Sequence, residues 1–165
     1  MKRTVIVIVV AIATATLLGA AAVPSAGSGG AVVKTAYNKA LKRTILVDAR
    51  GMTLYIFMAD TPGASPHSAC IDDPTYHCSK DWPPLQSAGG EPVAKGAVKQ
   101  ARLSVFTRDD GSTQVAYAGH PVYTWHGYAG DPPDRKPGDV KGQGYIGEWY
   151  VLAPSGKPIT KLPKK

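Results

Sequence analysis

Cysteine is scarce, with two in 165 residues, which excludes a disulfide-dense miniature scaffold and any four-cysteine zinc finger. Charge is also thin, at 19% of residues, beside 18 Gly and 14 Pro. That balance excludes a coiled coil or a long helical bundle. The chain carries no G-x-S-x-G, no H-E-x-x-H, no phosphate-binding loop and no dinucleotide fingerprint. The commonest hydrolase, metalloprotease and nucleotide-binding chemistries are therefore without a signature. Asp72-Asp73 and Asp109-Asp110-Gly111 lack the spacing of a 12-residue calcium loop. What is present is a turn-rich, β-biased chain of a length usual for one domain or two very small packed units.

The one long apolar run lies at the start. Lys2 and Arg3 precede an uncharged stretch from Val5 to Ala22, which ends in small residues before Pro24. This pattern predicts an export signal over residues 1–26, or an N-terminal membrane anchor if the segment is retained. Either way the protein is expected outside the cytoplasm, periplasmic or extracellular. Residues 27–43 then read as a linker and an N-terminal segment, where Val33, Tyr37, Ala40 and Leu41 suit an amphipathic helix or a first edge strand equally.

From Thr44 the β signal is clear. Ile45-Leu46-Val47 and Leu54-Tyr55-Ile56-Phe57 flank Asp48-Ala49-Arg50-Gly51, a hairpin with glycine where φ turns positive. Ser104 to Thr107 and Gln114 to Tyr117 flank Arg108-Asp109-Asp110-Gly111 in the same way. The chain also repeats itself. Gly51-x-x-x-Tyr55-x-Phe57 recurs as Gly119-x-x-x-Tyr123-x-Trp125, and Asp81-Trp82-x-x-Leu85 as Glu148-Trp149-x-x-Leu152. The expected fold is all-β: a small sandwich or barrel of two pseudo-repeats, about 44–100 and 101–156, with long Pro/Gly-rich loops and a basic tail at 157–165. Neither copy could bury its aromatic face alone.

The stretch Leu46-Val47-Asp48-Ala49-Arg50-Gly51-Met52-Thr53-Leu54-Tyr55-Ile56-Phe57-Met58-Ala59-Asp60, with Cys70, Cys78 and Trp82-Pro83-Pro84-Leu85, resembles a bacterial secreted repeat of unknown function. That family is also described as predicted lipoproteins with a Y-x-[FWY]-x-x-D motif. In the second half the likeness runs through Gly119-His120-Pro121-Val122-Tyr123 and Pro137-Gly138-Asp139 to Trp149. The second copy departs from the motif: either Asp131 falls three residues late after Tyr123-x-Trp125, or His126-x-Tyr128-x-x-Asp131 is the motif with His in place of Tyr. The lipid-attachment cysteine of lipoprotein members is absent from the start of this chain. The resemblance implies an extracytoplasmic module and no established activity.

Cys70 and Cys78 are expected to form a disulfide in an oxidising compartment. Closing so short a loop stabilises the fold by about 2.5 kcal/mol in the chain-entropy account. His67 and His77 beside them leave a metal or thiol site as the alternative. Tyr55, Phe57 and Asp60, with Trp82, Tyr123, Trp125, Asp131 and Trp149, read either as core and turn residues or as an aromatic platform for a ligand. We expect a non-catalytic envelope-associated module, without cofactor, that binds an unidentified ligand or protein through that face or its loops. A metal- or redox-active protein using loop 67–78 is the alternative.

The formal charge of +7 is unevenly placed. Residues 44–156 hold nine basic residues against all twelve acids, while Lys34, Lys39, Lys42 and Arg43 precede them and Lys157, Lys161, Lys164 and Lys165 follow. A mildly acidic domain between basic tails does not suit nucleic acid. The tails suit peripheral contact with an anionic envelope surface.

Overall fold

The β-favouring runs become strands in the computed structural model, which describes residues 29–163. The expected export segment at 1–26 and the terminal Lys164 and Lys165 lie outside the described residues. Nine strands run β1 (Val32–Asn38), β2 (Arg43–Val47), β3 (Tyr55–Phe57), β4 (Val93–Ala94), β5 (Leu103–Thr107), β6 (Thr113–Tyr117), β7 (His120–Pro121), β8 (Trp149–Leu152) and β9 (Pro158–Ile159). The α-helix among the described residues is a single turn, α1 (Cys78–Asp81). The strands form three small sheets of order β2-β1-β4, β3-β8-β9 and β5-β6-β7. The fold is all-β, and no helix of the described residues is long and apolar enough to cross a membrane.

Residues 31–43 resolve as strand and turn. β1 is the central strand of its sheet, antiparallel to β2 and parallel to β4. Its β-branched Val32, Val33 and Thr35 suit a pleated surface, and Tyr37, needed by a helical stripe, stands 64% exposed. Paired structure therefore reaches beyond 44–156, with β1 before it and β9 after it.

The internal repeat is written in the backbone hydrogen bonds. Leu54 N–H donates to the Leu46 carbonyl and Leu152 N–H to the Leu54 carbonyl; in the second copy Val122 donates to Val115 and Leu85 to Val122. Met58 N–H donates to Glu148 as His126 N–H donates to Asp81. These matches show that the copies exchange strands. β3 of the first copy pairs with β8 of the second, setting Phe57 opposite Trp149. The second copy's Tyr123-Thr124-Trp125 lies along Pro83-Pro84 of the first, held by Thr124 N–H donating to the Pro83 carbonyl and Leu85 N–H donating to that of Val122. Tyr55 and Tyr123 bond each other reciprocally where the copies meet, at 2.9 and 3.0 Å.

The core follows the same exchange. Phe57, Trp149, Trp82 and Trp125 form a continuous column with ring centroids 4.3, 3.9 and 4.2 Å apart, alternating between the copies. Tyr55 meets Trp82 edge-on at 5.4 Å, and Tyr123 meets Trp149 likewise at 5.1 Å. Each such pair adds about 0.5–1.5 kcal/mol beyond its buried area. Glycine is required at two matched points. Gly51 has φ +88° with Pro137 against it, and Gly119 has φ +82° with the Gly63 backbone against it.

Candidate functional site

The expected aromatic platform is not a surface. Tyr55, Trp82, Tyr123 and Trp149 are fully buried, Trp125 is nearly so, and Phe57 is partly buried against the same cluster. A few short strands per copy cannot bury a hydrophobic face alone, so the rings that looked available are the ones each copy supplies to the other.

The motif acid has a structural task that only the exchange reveals. Tyr123 O–H donates to Asp60 Oδ2 at 2.9 Å, and Tyr55 O–H donates to Asp134 Oδ2 at 2.7 Å. Each copy's tyrosine is thus held by the other copy's aspartate. The remaining oxygens also match: Asp60 Oδ1 accepts from Ala69 N–H and Asp134 Oδ1 from Lys141 N–H, both at 2.8 Å. Asp60 N–H donates to the Phe57 carbonyl as Asp134 N–H donates to that of Trp125. Asp134, not Asp131, is therefore the second motif acid. Asp131 is exposed and caps a local turn with Tyr128. A six-residue insertion displaced the acid, yet a Pro-Gly follows each acid closely, Pro62-Gly63 two residues on and Pro137-Gly138 three, and is a readable signal.

Burial pushes the Asp60 carboxyl up to about 6, against the opposing pull of the Ala69 N–H, the Tyr123 hydroxyl and the Arg108 charge. Burial also raises Asp134, and raises Tyr55 and Tyr123 together with the acids beside them. Arg108 lies buried next to the first latch, donating to Ser68 Oγ at 2.8 Å, to Gln114 Oε1 at 2.6 Å and to the Cys70 carbonyl. It ties the turn between β5 and β6 to the disulfide loop.

Cys70 and Cys78 are joined as a disulfide. Both sulfurs are thereby removed as ligands, and His67 Nε2 instead faces Asp109 Oδ2 at 3.1 Å. Among the described residues no group of three or more His, Cys, Asp or Glu is placed to hold a metal ion. The metal- or redox-active reading of loop 67–78 therefore finds no support in the geometry.

A different site emerges where sequence reading placed a basic tail. Lys34 on β1 and Lys39 in the following turn line a groove of about 760 Å³ with Arg50, Lys136 and Asp139. The Asp139 carboxylate is already occupied by the Arg135 and Lys136 amides at 2.9 and 3.3 Å. Arg50 Nε sits 3.2 Å from Asp48 Oδ2, and its Nη groups have no partner among the described residues.

The duplicate face serves as an internal control. Since Leu46 matches Val115, the ladders match Lys34 with Ser104, and the turns match Arg50 with Ala118. The second face holds a cavity of about 380 Å³ lined by Ser104, Ala118, Gly119, Gly63 and Ala64, where the first has Lys34, Arg50, Gly51, Pro137 and Gly138. Lys136 matches Pro62 and Lys39 matches Asp109. The second face's own cation, Arg102, is bonded to the Ser155 carbonyl, as Lys34 Nζ on the first face is bonded to the Ala49 carbonyl at 2.8 Å. Four cations therefore line one of two equivalent faces and one cation lines the other.

Comparison with known proteins agrees with this duplication. The family described as a secreted repeat of unknown function matches the chain twice, over residues 42–86 and 104–153. No curated protein and no solved structure matches the chain.

Proposed function

The chain belongs to the family of secreted repeats of unknown function, an exported protein, and on that premise we propose that it is a non-catalytic envelope module binding an anionic polymer along the groove of Lys34, Lys39, Arg50 and Lys136. The observation that carries this reading is the one-sided charge. Features common to both copies, the rings, the Tyr–Asp latches and the tight glycines, serve the fold. Cations at these four positions are not needed by the fold, which is built without them at the matched positions of the other face. Their electrostatic field would concentrate a chain-like polyanion along the groove, in a periplasmic or extracellular setting.

The test replaces the cations by what the twin face tolerates. Lys34→Ser, Arg50→Ala and Lys136→Gln together (glutamine keeps the amide that Asp139 accepts from) should leave the fold intact. Binding of the folded protein to long-chain inorganic polyphosphate should weaken about 100-fold, at about 1 kcal/mol per cation removed. Its salt dependence should flatten by about one counterion per cation. Phosphatidylglycerol vesicles form the second arm. Binding to vesicles and not to polymer would move the partner to the membrane and refute the groove reading.

A further inference from the structure

The groove does not end at Arg50. The same residue, with Pro137, also lines an adjoining cavity of about 340 Å³ whose walls include Thr53, Trp125, His126, Asp134 and Arg135. That volume lies in the range of small-molecule sites, about 300–1,000 Å³. Three hydrogen-bond donors reach it from separate segments: Arg50 from the turn after β2, His126 after the second aromatic strand, and Arg135 after the latch acid. The acid in the wall, Asp134, has both oxygens engaged as acceptors, from Tyr55 and from Lys141, and the two guanidinium groups outnumber its charge. Trp125 is likewise settled, donating its indole N–H to the Pro132 carbonyl at 2.9 Å.

The duplicate again separates fold from function. Trp125 and Asp134 match Phe57 and Asp60, which keep an aromatic ring and an acid. By the same matches Arg50, His126 and Arg135 correspond to Ala118, Met58 and Thr61, and Met52 to His120. Both guanidinium groups are thus confined to one copy. A carboxylate is planar and one guanidinium fork satisfies it, whereas a tetrahedral oxyanion takes donors from several directions.

We propose that this cavity is a phosphate subsite, in which Arg50 and Arg135 clamp one phosphate group of the bound polymer and His126 donates a third hydrogen bond. The assignment rests on the groove reading above and extends it to the ligand's chemical class: a polymer bearing phosphate rather than carboxylate.

The experiment titrates inorganic phosphate, and separately polyphosphate, into the folded chain by calorimetry. Wild type should bind phosphate with one site per chain, and acetate at equal concentration should not displace it. His126→Met with Arg135→Thr installs the residues used in the twin copy, so the fold should hold. Phosphate affinity should then fall on the order of 10-fold or more, two charge-assisted donors having been removed. Polyphosphate should lose only a few-fold, because Lys34, Lys39 and Lys136 remain. Unchanged phosphate affinity in the double variant, equal displacement by acetate, or no phosphate binding by wild type would each overturn the subsite. Phosphate bound by wild type at this cavity with no binding of polyphosphate would refute the groove and leave the subsite standing.

Discussion

Cut between Val98 and Lys99, the two halves of the chain are expected to be unfolded separately and to fold when mixed in equal amounts. The reason lies in the exchanged strands. In residues 29–98, β3 has lost its ladder partner β8, and Pro83-Pro84 has lost the strand through Tyr123 and Thr124. In residues 99–163 the same groups are stranded from the other side. Each half also keeps two rings of the four-ring column and exposes the faces between them. Each keeps an acid and a tyrosine that no longer meet, because both Tyr–Asp bonds run between halves. Domains this small bury only about 60% of their unfolded surface even when complete. Losing a shared core of five buried aromatic side chains removes more than the few kcal/mol by which a domain is usually stable. Proton–nitrogen correlation spectra check this directly. Either half giving a dispersed spectrum as a monomer would contradict the exchange, as would a mixture that stays undispersed while both halves remain soluble.

The second large effect concerns acidity. Burial raises the folded Asp60 carboxyl from its ordinary 3.8 to about 6, so the folded chain binds that proton more readily than the unfolded chain. Stability from this group is fully present below about pH 4, declines as pH rises through 6, and levels off above it. The difference of roughly two pKa units corresponds to about 3 kcal/mol over the whole titration, most of it lost between pH 4 and pH 7. Asp134 shifts in the same direction, and the exposed Asp73 and Asp110 and the half-buried Asp139 shift oppositely. Asp60→Asn isolates the one contribution. Its amide group can keep the Ala69 bond, while the Tyr123 hydroxyl turns its proton to Ser68, 2.9 Å away. The variant should be the more stable at pH 7, with its advantage shrinking toward pH 4. Urea midpoints measured across that range check it; an advantage that stays constant with pH would refute the assignment.

The duplication was legible in the sequence because the residues that build it are rare and regularly spaced. Tyr55, Phe57, Trp82 and their partners Tyr123, Trp125 and Trp149 define two copies before any coordinates exist. Their crossing was not legible. A period of two puts Tyr55 and Phe57 on one face, but nothing local says that the strand beside them comes from the other copy. Asp134 was missed for a related reason: an insertion is invisible to a spacing rule, whereas the fold tolerates a longer loop at slight entropic cost. The groove was missed because charge was summed by segment. Lys34 and Lys39 lie before the repeat in sequence and beside Arg50 and Lys136 in space.

In the proposed function one face of the duplicated fold is used and its twin is idle. Amide chemical shifts followed during titration with polyphosphate distinguish the two faces residue by residue. Perturbations should gather at Lys34, Lys39, Arg50, His126, Arg135 and Lys136, and leave Ser104, Asp109, Ala118, Met58 and Thr61 unmoved. Shifts of equal size on both faces, or confined to the face of Ser104 and Ala118, would contradict it.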